Sequence, residues 1–314
     1  MSKSDDIKQY LKLLETIKNS RKEGNEMIPI KKGKVESAKK VVIYGPEGIG
    51  KSTLASQFPD PVFIDTEGST KELDIARYPA PEYWKMILDF IEDANEERAF
   101  KTVVIDTADW CEQFCIKSVC EMHSVKGIED IGYGKGCVYV AEEFTKLLRE
   151  CDKLIDAGIN VVFTAHAQMR KFEQPDELGA YDRWEMKLSK KVAPLLKEWA
   201  DMVLFCNYKT TVITDSKTNS KKASGGKRVM YASHHPCWDA KNRFNLPEQM
   251  EMSFDQIAHV FTVKTEPNYR TMLRNLISNK SSEERQAIVT KYGLGPDSTN
   301  EDYKNAYTAI TGGN

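Results

Sequence analysis

The segment at residues 45–53 contains residue types that bind a polyphosphate, and it matches the pattern G-x-x-x-x-G-K-[ST] at every fixed position. Glycines in this pattern let the backbone turn its N–H groups toward phosphate oxygens. The ammonium of Lys51 is expected to reach the β- and γ-phosphates as a catalytic group, and the hydroxyl of Ser52 to bind Mg²⁺. The predicted nucleotide-binding residues are Gly45, Pro46, Glu47, Gly48, Ile49, Gly50, Lys51, Ser52 and Thr53.

The sequence on either side of this segment fits a phosphate-binding loop. Residues 40–44, a lysine followed by four apolar residues, are typical of a buried strand, and residues 52–58 begin a helix that Pro59 ends. Strand, loop and helix in this order are the context in which the pattern binds nucleotides. Residues 207–209 do not form the Asn-Lys-x-Asp signature of a GTPase. We therefore expect ATP and Mg²⁺ as the cofactors.

An aspartate at the end of the strand predicted at residues 101–107 is a second candidate metal ligand. Asp106 follows the apolar strand residues Val103, Val104 and Ile105, where a Walker B aspartate would hold Mg²⁺ together with Ser52. ATPases of the AAA+ type place a glutamate directly after this aspartate, whereas this chain has Thr107. The carboxylate that orients the attacking water must therefore come from elsewhere if the chain hydrolyses ATP.

Two polar residues at the ends of other predicted strands are candidates for this part of the chemistry. Glu67 ends the strand predicted at residues 61–68, and His166 follows the strand at residues 160–165. In an open α/β sheet, ligands bind at the carboxyl ends of the strands. We predict that Glu67 activates water. A role for Glu67 as a helix-capping or solvated loop acid, and a purely structural role for His166, remain open.

The order of the predicted elements indicates the fold class. Strands alternate with helices across residues 40–233, which predicts an α/β fold with a mostly parallel central sheet and helices on both faces. We predict an N-terminal helix and linker at residues 1–35, an ATPase core at residues 36–250 and a small helical region at residues 251–314.

The composition of the whole chain restricts its class. The chain has 314 residues and a net charge of −2, so any contact with nucleic acid must come from locally basic loops. It contains no run of eighteen apolar residues and no signal peptide. These features predict a soluble, cytoplasmic protein with no membrane partner, located in the host cytoplasm if a phage encodes it.

Several motifs resemble those of RecA-like ATPases. Residues 63–67 are similar to the strand whose terminal glutamate activates water, and residues 199–205 and 241–244 are similar to landmarks of the RadA/Sms branch, although Asn245 replaces a glycine. From about residue 38 to residue 250 the chain most closely resembles the Sak-type RecA-core ATPases of bacteriophages, which promote single-strand annealing and recombination.

This resemblance implies a RecA-like P-loop core and assembly into a homo-oligomeric ring or filament. It also implies that His166 senses the γ-phosphate and that Lys241 and Arg243 reach the nucleotide of a neighbouring subunit as catalytic residues. A solvated basic turn is the alternative for that pair. Single-stranded DNA is the implied partner, and a single-strand DNA-binding protein is a possible further one.

Two predicted loops combine basic and aromatic residues, which suits a single strand because cations pair with phosphates and rings stack on bases. They span residues 124–136 and 168–184, and the second also contains acidic residues. Ordinary solvated loops are the alternative for both. The predicted DNA-binding residues are Lys126, Tyr133, Lys135, Arg170, Lys171, Phe172, Arg183 and Trp184.

The function predicted from these features is an ATPase, stimulated by DNA, that acts on single strands in phage recombination or replication-linked repair. A helicase or helicase loader of the same fold is one alternative. A P-loop ATPase that regulates a protein partner without binding DNA is another.

Overall fold

A computed structural model describes residues 33, 35–173, 179–214, 221–261, 269–278, 280–295 and 298–311. The chain divides into two compact units, Met1–Glu36 and Ser37–Asn314, and the described helices and strands belong to the second unit. The N-terminal helix that we predict within residues 1–35, at residues 5–22, lies outside the described residues.

The strands of the second unit follow the apolar runs of the sequence. Their bounds are β1 (Lys40–Gly45), β2 (Pro61–Asp65), β3 (Ala76–Arg77), β4 (Thr102–Asp106), β5 (Asn160–Glu173), β6 (Ala180–Met186), β7 (Met202–Thr214), β8 (Lys221–Tyr231), β9 (Lys241–Asn242) and β10 (Gln249–Glu251). β5 and β7 continue well beyond the apolar runs that predict them.

Helices connect most of these strands. Their bounds are α1 (Lys51–Ala55), α2 (Trp84–Glu97), α3 (Ala108–Met122), α4 (Lys135–Asp156), α5 (Val192–Trp199), α6 (Ala258–Phe261), α7 (Tyr269–Leu276), α8 (Ser282–Lys291) and α9 (Asn300–Thr311), with 3₁₀ turns at Ile128–Ile131 and Phe254–Gln256. None of the helices in the described part of the chain is long and apolar enough to span a membrane.

The strands form a mixed sheet in the order β10, β8, β7, β1, β5, β4, β2, β3. β1 runs parallel to β5 and β7, while β4 runs parallel to β2 and β5. β6, β8 and β10 are added in antiparallel pairs. The carboxyl ends of β1, β2, β4 and β5 therefore share one edge of the sheet. The predicted α/β fold class with a mostly parallel sheet is confirmed.

Alternate residues of β1 enter two hydrophobic cores on opposite faces of the sheet. Val42 and Tyr44 pack in the core that α2, α3, α4 and α5 cover, whereas Val41 and Ile43 pack in the core that α1 covers. Each buried aliphatic side chain of this kind contributes about 1.5–3 kcal/mol relative to its exposed state. Burial on both faces explains why residues 41–44 of β1 are continuously apolar, and it makes the strand a rigid support for the loop that follows.

The C-terminal helices have a small apolar core of their own. It contains Leu273 and Ile277 from the α7 segment, Leu294 after α8 and Ala306 in α9. The domain boundaries proposed at residues 35 and 250 stay predictions.

Candidate nucleotide site

The predicted phosphate loop joins β1 to α1, and backbone geometry explains its glycines. Gly48 and Gly50 have φ angles of 71° and 101°, a conformation that favours glycine over residues with a Cβ atom. Gly45 is restricted by packing, because a Cβ atom at that position would lie 2.3 Å from the carbonyl oxygen of Cys206. Gly48 and Gly50 thus allow the loop to turn, and Gly45 allows β1 to pack closely against β7.

Lys51 begins α1 and is folded back onto the loop. Its Nζ atom donates to the carbonyl oxygens of Gly45 at 3.2 Å and Pro46 at 3.1 Å, and the residue is only 6% exposed. Burial lowers the pKa of Lys51, against the opposing effect of carboxylates that include Asp106 and Glu67. The ammonium is therefore held inside the loop, close to the acids of the site.

The residues present fit a Mg²⁺ ion at the end of β4. Asp106 is fully buried, and its Oδ1 atom accepts a hydrogen bond from Oγ1 of Thr164. Its Oδ2 atom is buried and has no hydrogen-bond partner among the described residues. Burial raises the pKa of Asp106, although side-chain interactions with Ser52 and Thr164 oppose the rise. An unsatisfied carboxylate oxygen beside a serine hydroxyl is a donor set that suits this ion.

A carboxylate that the sequence analysis did not identify positions the segment carrying Glu67. Asp65 ends β2, and its Oδ1 atom accepts the backbone N–H groups of Glu67 at 3.2 Å and Gly68 at 2.7 Å. Its Oδ2 atom accepts both the N–H and the hydroxyl of Thr70. Burial acts to raise the pKa of Asp65, but these hydrogen bonds outweigh it and lower the pKa. Asp65 therefore shapes the turn from which Glu67 extends.

Glu67 and His166 meet beside the phosphate loop, although β4 lies between β2 and β5 in the sheet. Oε1 of Glu67 lies 3.9 Å from Nε2 of His166, and the Glu67 side chain is 27% exposed. Burial raises the pKa of Glu67, and the neighbouring Asp106 and Asp109 act in the same direction, while His166 and Lys51 oppose them. The site thus contains an acid that is close to water and surrounded by charges of both signs.

A second acid, Asp109, lies behind His166. Its Oδ1 atom accepts the backbone N–H of His166, and its Oδ2 atom lies 2.9 Å from ring Nδ1. A carboxylate accepts hydrogen bonds, so the ring carries a proton on Nδ1, and in the neutral ring Nε2 is the free acceptor. Burial acts to raise the pKa of Asp109, but its bonds to His166 lower it.

The sequence contains only weak signals for Asp65 and Asp109. Asp109 comes three residues after Asp106, in the first turn of α3, where an acid usually interacts with the helix dipole. Asp65 lies three residues before the predicted end of a strand, whereas in the structure it is the last residue of β2. From the sequence alone, both aspartates could have had ordinary structural roles. The packing of β2, α3 and β5 shows which groups they bind.

Lys241 and Arg243 lie at the opposite edge of the sheet from Lys51. β9 pairs with the first residues of β7, and Nζ of Lys241 donates to the carbonyl oxygens of Lys197 and Glu198. Arg243 forms an ion pair of 2.7 Å with Asp201. The structure therefore does not bring either cation to the phosphate loop of its own chain, and a role at a neighbouring subunit stays a prediction.

The first predicted DNA-binding loop is exposed and ordered by packing at its base. Lys126, Tyr133 and Lys135 are exposed, and Tyr133 is fully so. A Cβ atom on Gly136 would lie 2.2 Å from the carbonyl oxygen of Ile128, so glycine allows the start of α4 to pack against the 3₁₀ turn. The loop thus presents one aromatic ring and two cations to solvent.

The second predicted loop is largely a two-stranded ribbon. β5 and β6 pair antiparallel from Ala167 opposite Met186 to Glu173 opposite Ala180, so residues 168–173 and 180–184 are strand. Turn-rich composition around residue 175 hid the alternating pattern of the two arms. Lys171 is exposed but stands opposite Asp182, and Phe172 contacts the ring of Tyr181.

Three other residues predicted to bind DNA in this ribbon are engaged within the protein. Arg170 donates to the carbonyl oxygen of Leu188, and Arg183 is 7% exposed and paired with Asp239. Trp184 packs with its ring centroid 6.1 Å from that of Phe205. The inward contacts of Arg183 and Trp184 argue against direct contact with a DNA strand.

Comparison with known proteins places this site in a family. A model of the AAA domain matches residues 37–244, which is more than half of the chain and includes the site residues described above. The chain belongs to the AAA domain family. It is also 26% identical over 136 residues to the SPbeta prophage-derived uncharacterized protein YorG of Bacillus subtilis (strain 168). That match covers 41% of each chain, so this chain spans less than half the length of the relative.

Membership of the AAA domain family confirms the predicted P-loop ATPase core. The chain nevertheless has Thr107 directly after Asp106, and the role of Glu67 in orienting water stays a prediction. The narrower resemblance to the Sak-type phage ATPases stays a prediction, and the relative from a prophage is compatible with it.

Proposed function

We propose that this chain binds ATP with Mg²⁺, hydrolyses it, and uses the cycle to act on single-stranded DNA in phage recombination or replication-linked repair. The observation that carries the ATPase part is the meeting of Lys51, Glu67 and His166 at one edge of the sheet, beside the buried Asp106. These groups come from four separate segments, and their convergence supports a catalytic site over isolated structural roles.

Each side chain has a distinct task in this proposal. Lys51 exchanges its two carbonyl partners in the loop for phosphate oxygens, which bind an ammonium more strongly. Ser52 and Asp106 hold Mg²⁺, which when bound neutralises charge that develops on the phosphates. The carboxylate of Glu67 orients and deprotonates the attacking water.

His166 completes the site as a contact to the γ-phosphate. Its neutral Nε2 atom accepts a hydrogen bond, whereas its protonated form donates one to a phosphate oxygen. The ring is held from behind by Asp109, whose Oδ2 atom lies 2.9 Å from Nδ1 and fixes the orientation of the imidazole. His166 therefore can respond to the arrival of phosphate charge, and its 3.9 Å separation from Glu67 places it beside the water-activating group.

The DNA part of the proposal rests on the family resemblance and on the first loop. Tyr133 offers a ring for base stacking, and Lys126 and Lys135 flank it as phosphate partners. On the ribbon, exposed Lys171 and the half-buried Phe172 are the remaining candidates. Because the whole chain carries a net charge of −2, such local groups must supply the affinity.

Self-assembly is the third part of the proposal. Lys241 and Arg243 lie too far along the sheet to reach the phosphates of their own chain, so a catalytic role for them requires a neighbouring subunit. A homo-oligomeric ring or filament supplies such a neighbour. We propose this assembly together with recruitment by a single-strand DNA-binding protein.

A regulator of a protein partner is the second candidate function, and the charge pattern of the ribbon favours it. Lys171 faces Asp182, Arg170 lies 3.7 Å from Glu185, and Arg183 pairs with Asp239. A ribbon with such balanced charges suits a protein surface at least as well as a polyanion. Helicase activity or helicase loading remains an alternative outcome for a DNA-binding ATPase.

Steady-state ATP hydrolysis with and without single-stranded DNA tests the proposal. We expect the wild-type protein to hydrolyse ATP faster with DNA, and Lys51→Ala to lose tight ATP binding because the cation facing the phosphates is removed. Hydrolysis without any DNA effect or DNA binding would favour the protein-partner function. Annealing and strand-displacement assays on the same preparation separate recombination from unwinding. Wild-type ATP affinity in folded Lys51→Ala would contradict the site itself.

A further inference from the structure

The hairpin of β7 and β8 approaches the phosphate loop of the same chain. Tyr208 and Arg228 stand directly opposite each other in this hairpin. The hydroxyl of Tyr208 donates to the carbonyl oxygen of Gly48 at 3.3 Å. Tyr208 therefore anchors its half of the cross-strand pair to the middle of the loop.

Arg228, the other half of the pair, lies beside Gly50. Its Nη1 atom is 3.0 Å from the position that a Cβ atom of Gly50 would occupy, and its Cζ atom is 3.8 Å from that position. The residue directly before Lys51 is thus in contact range of a guanidinium. Two features favour glycine at position 50: its φ of 101° and the close approach of this guanidinium.

The guanidinium of Arg228 is available to a ligand. Arg228 is exposed, and it has no ion-pair or side-chain hydrogen-bond partner among the residues that the structure describes. Its neighbour Lys227 differs, because Nζ of that residue lies 3.6 Å from Glu251. A guanidinium can donate two parallel N–H groups to a phosphate. The unpaired guanidinium of Arg228 lies beside the predicted phosphate loop, so it can bind a phosphate there.

We propose that Arg228 is a phosphate-binding residue that acts on the nucleotide of its own chain, with Tyr208 holding the hairpin over the loop. This inference rests on the proposed nucleotide site. It differs from the roles suggested for Lys241 and Arg243, because those residues lie at the opposite edge of the sheet whereas Arg228 lies beside Gly50 of the loop. The ligand class is a nucleoside triphosphate bound through its phosphates.

Titration of a fluorescent ATP analogue with Mg²⁺ into three variants of the full chain tests the role. We expect Arg228→Ala to weaken binding by about 10- to 100-fold, the range for a lost hydrogen bond to a charged group. Arg228→Lys should recover part of the affinity, because it keeps the charge but not the planar fork. Lys227→Ala is the matched control from the same strand and should bind like the parent.

Subunit mixing distinguishes action within the chain from action on a neighbour. Arg228→Ala and Lys51→Ala chains are co-assembled, and ATP hydrolysis is measured. If Arg228 acts on its own nucleotide, no chain in the mixture has a complete site, and activity should not recover. Recovery of activity would overturn the proposal in favour of a role at a neighbouring subunit.

The outcomes also separate this inference from the proposed function. If the wild-type protein and Lys227→Ala both fail to bind the analogue, the nucleotide site itself is wrong. If both bind and folded Arg228→Ala binds equally well, the nucleotide site stands and the role of Arg228 is wrong. Loss of DNA affinity with unchanged ATP affinity in Arg228→Ala would likewise overturn it, because the hairpin would then serve the DNA.

Discussion

The carboxylate of Asp109 binds His166 at two points, the backbone N–H and ring Nδ1, each at 2.9 Å. Two bonds from one carboxylate fix both the backbone of β5 at His166 and the rotation of the imidazole. Nε2 is consequently directed to the side on which Glu67 lies. The first turn of α3 therefore controls the geometry of a group that belongs to another strand.

This relationship predicts the effect of Asp109→Asn. The amide keeps the shape of the carboxylate but can present N–H₂ to Nδ1, which moves the imidazole proton to Nε2 and removes the negative charge. We expect kcat for ATP hydrolysis to fall by about 10-fold or more, because the protonation of a catalytic-site group changes. The affinity for ATP should change little, since Lys51 and the loop remain intact. Steady-state kinetics measures both quantities.

A double substitution provides the control for Asp109. If Asp109 acts through His166, then Asp109→Asn combined with His166→Ala should be no slower than His166→Ala alone. A further loss of kcat in the double variant would mean that Asp109 supports the fold or another group. Thermal unfolding of each variant shows whether the fold is retained.

The second prediction concerns Glu67 and pH. Glu67→Gln should bind ATP but hydrolyse it about 100-fold more slowly or worse, because the amide cannot accept the proton of water. The pKa of Glu67 is raised, chiefly by burial, and the active form is the carboxylate. Activity should therefore be lost as pH falls through a pKa higher than that of an ordinary glutamate. The measurement is kcat as a function of pH. If Glu67→Gln loses activity at low pH in the same way as the parent, another group causes that loss.

The contrast between Glu67 and Asp109 shows how far sequence alone predicts this site. Lys51, Ser52, Asp106 and Glu67 follow from one loop pattern and from residues that end apolar strands, because parallel strands bring their carboxyl ends to one edge. Asp109 and Arg228 do not follow in this way. Their positions depend on how α3 packs against β5 and how far the β7 and β8 hairpin reaches, and neither is encoded in local spacing.

The ribbon of β5 and β6 shows a second limit. Its polar composition predicts a loop, but cross-strand pairing of residues 167–173 with residues 180–186 forms strand instead. Polar strands that leave the main sheet lack the continuous apolar pattern of buried strands, so periodicity cannot distinguish them from loops. The burial of Arg183 likewise depends on Asp239, a residue distant in sequence.

The third prediction tests Lys241 and Arg243 across a subunit boundary. Chains that carry both Lys241→Ala and Arg243→Ala are mixed with Lys51→Ala chains. The first chains have an intact phosphate loop, and the second have both cations. We expect some ATP hydrolysis to return at shared interfaces, because the second chain offers its cations to the nucleotide of the first. Demonstrated co-assembly without any recovery would mean that these residues act within their own subunit or serve only the fold.

The fourth prediction separates stacking from charge in the first loop. Tyr133→Ala should cost about 1–3 kcal/mol of single-strand affinity with little change in salt dependence, because a ring and not a cation is removed. Lys126→Ala and Lys135→Ala should each flatten the salt slope by about 0.7 for a lost phosphate contact. Lys117→Ala, an exposed lysine on α3, is the control and should leave the slope unchanged. If all four variants bind single-stranded DNA equally well, the DNA strand binds another surface of the protein.

The last prediction concerns Arg183, whose burial distinguishes a structural role from DNA contact. Asp239 accepts from both Arg183 and Lys197 and lies near the ring of His234, so its charge is shared within a network under the ribbon. Arg183→Ala removes the most buried cation of this network and leaves an acceptor only partly satisfied. We expect the free energy of unfolding to fall by about 1–3 kcal/mol, measured by urea denaturation.

Lys171→Ala is the matched control for Arg183, because Lys171 lies on the same ribbon but is exposed and faces Asp182 across the strands. Its loss should change the free energy of unfolding by less than about 1 kcal/mol, the usual range for an exposed pair. If Lys171 contacts DNA, the same substitution should lower single-strand affinity and flatten its salt slope, whereas folded Arg183→Ala should retain the slope of the parent. A flattened slope with unchanged stability in Arg183→Ala would show instead that its guanidinium leaves Asp239 to bind phosphate.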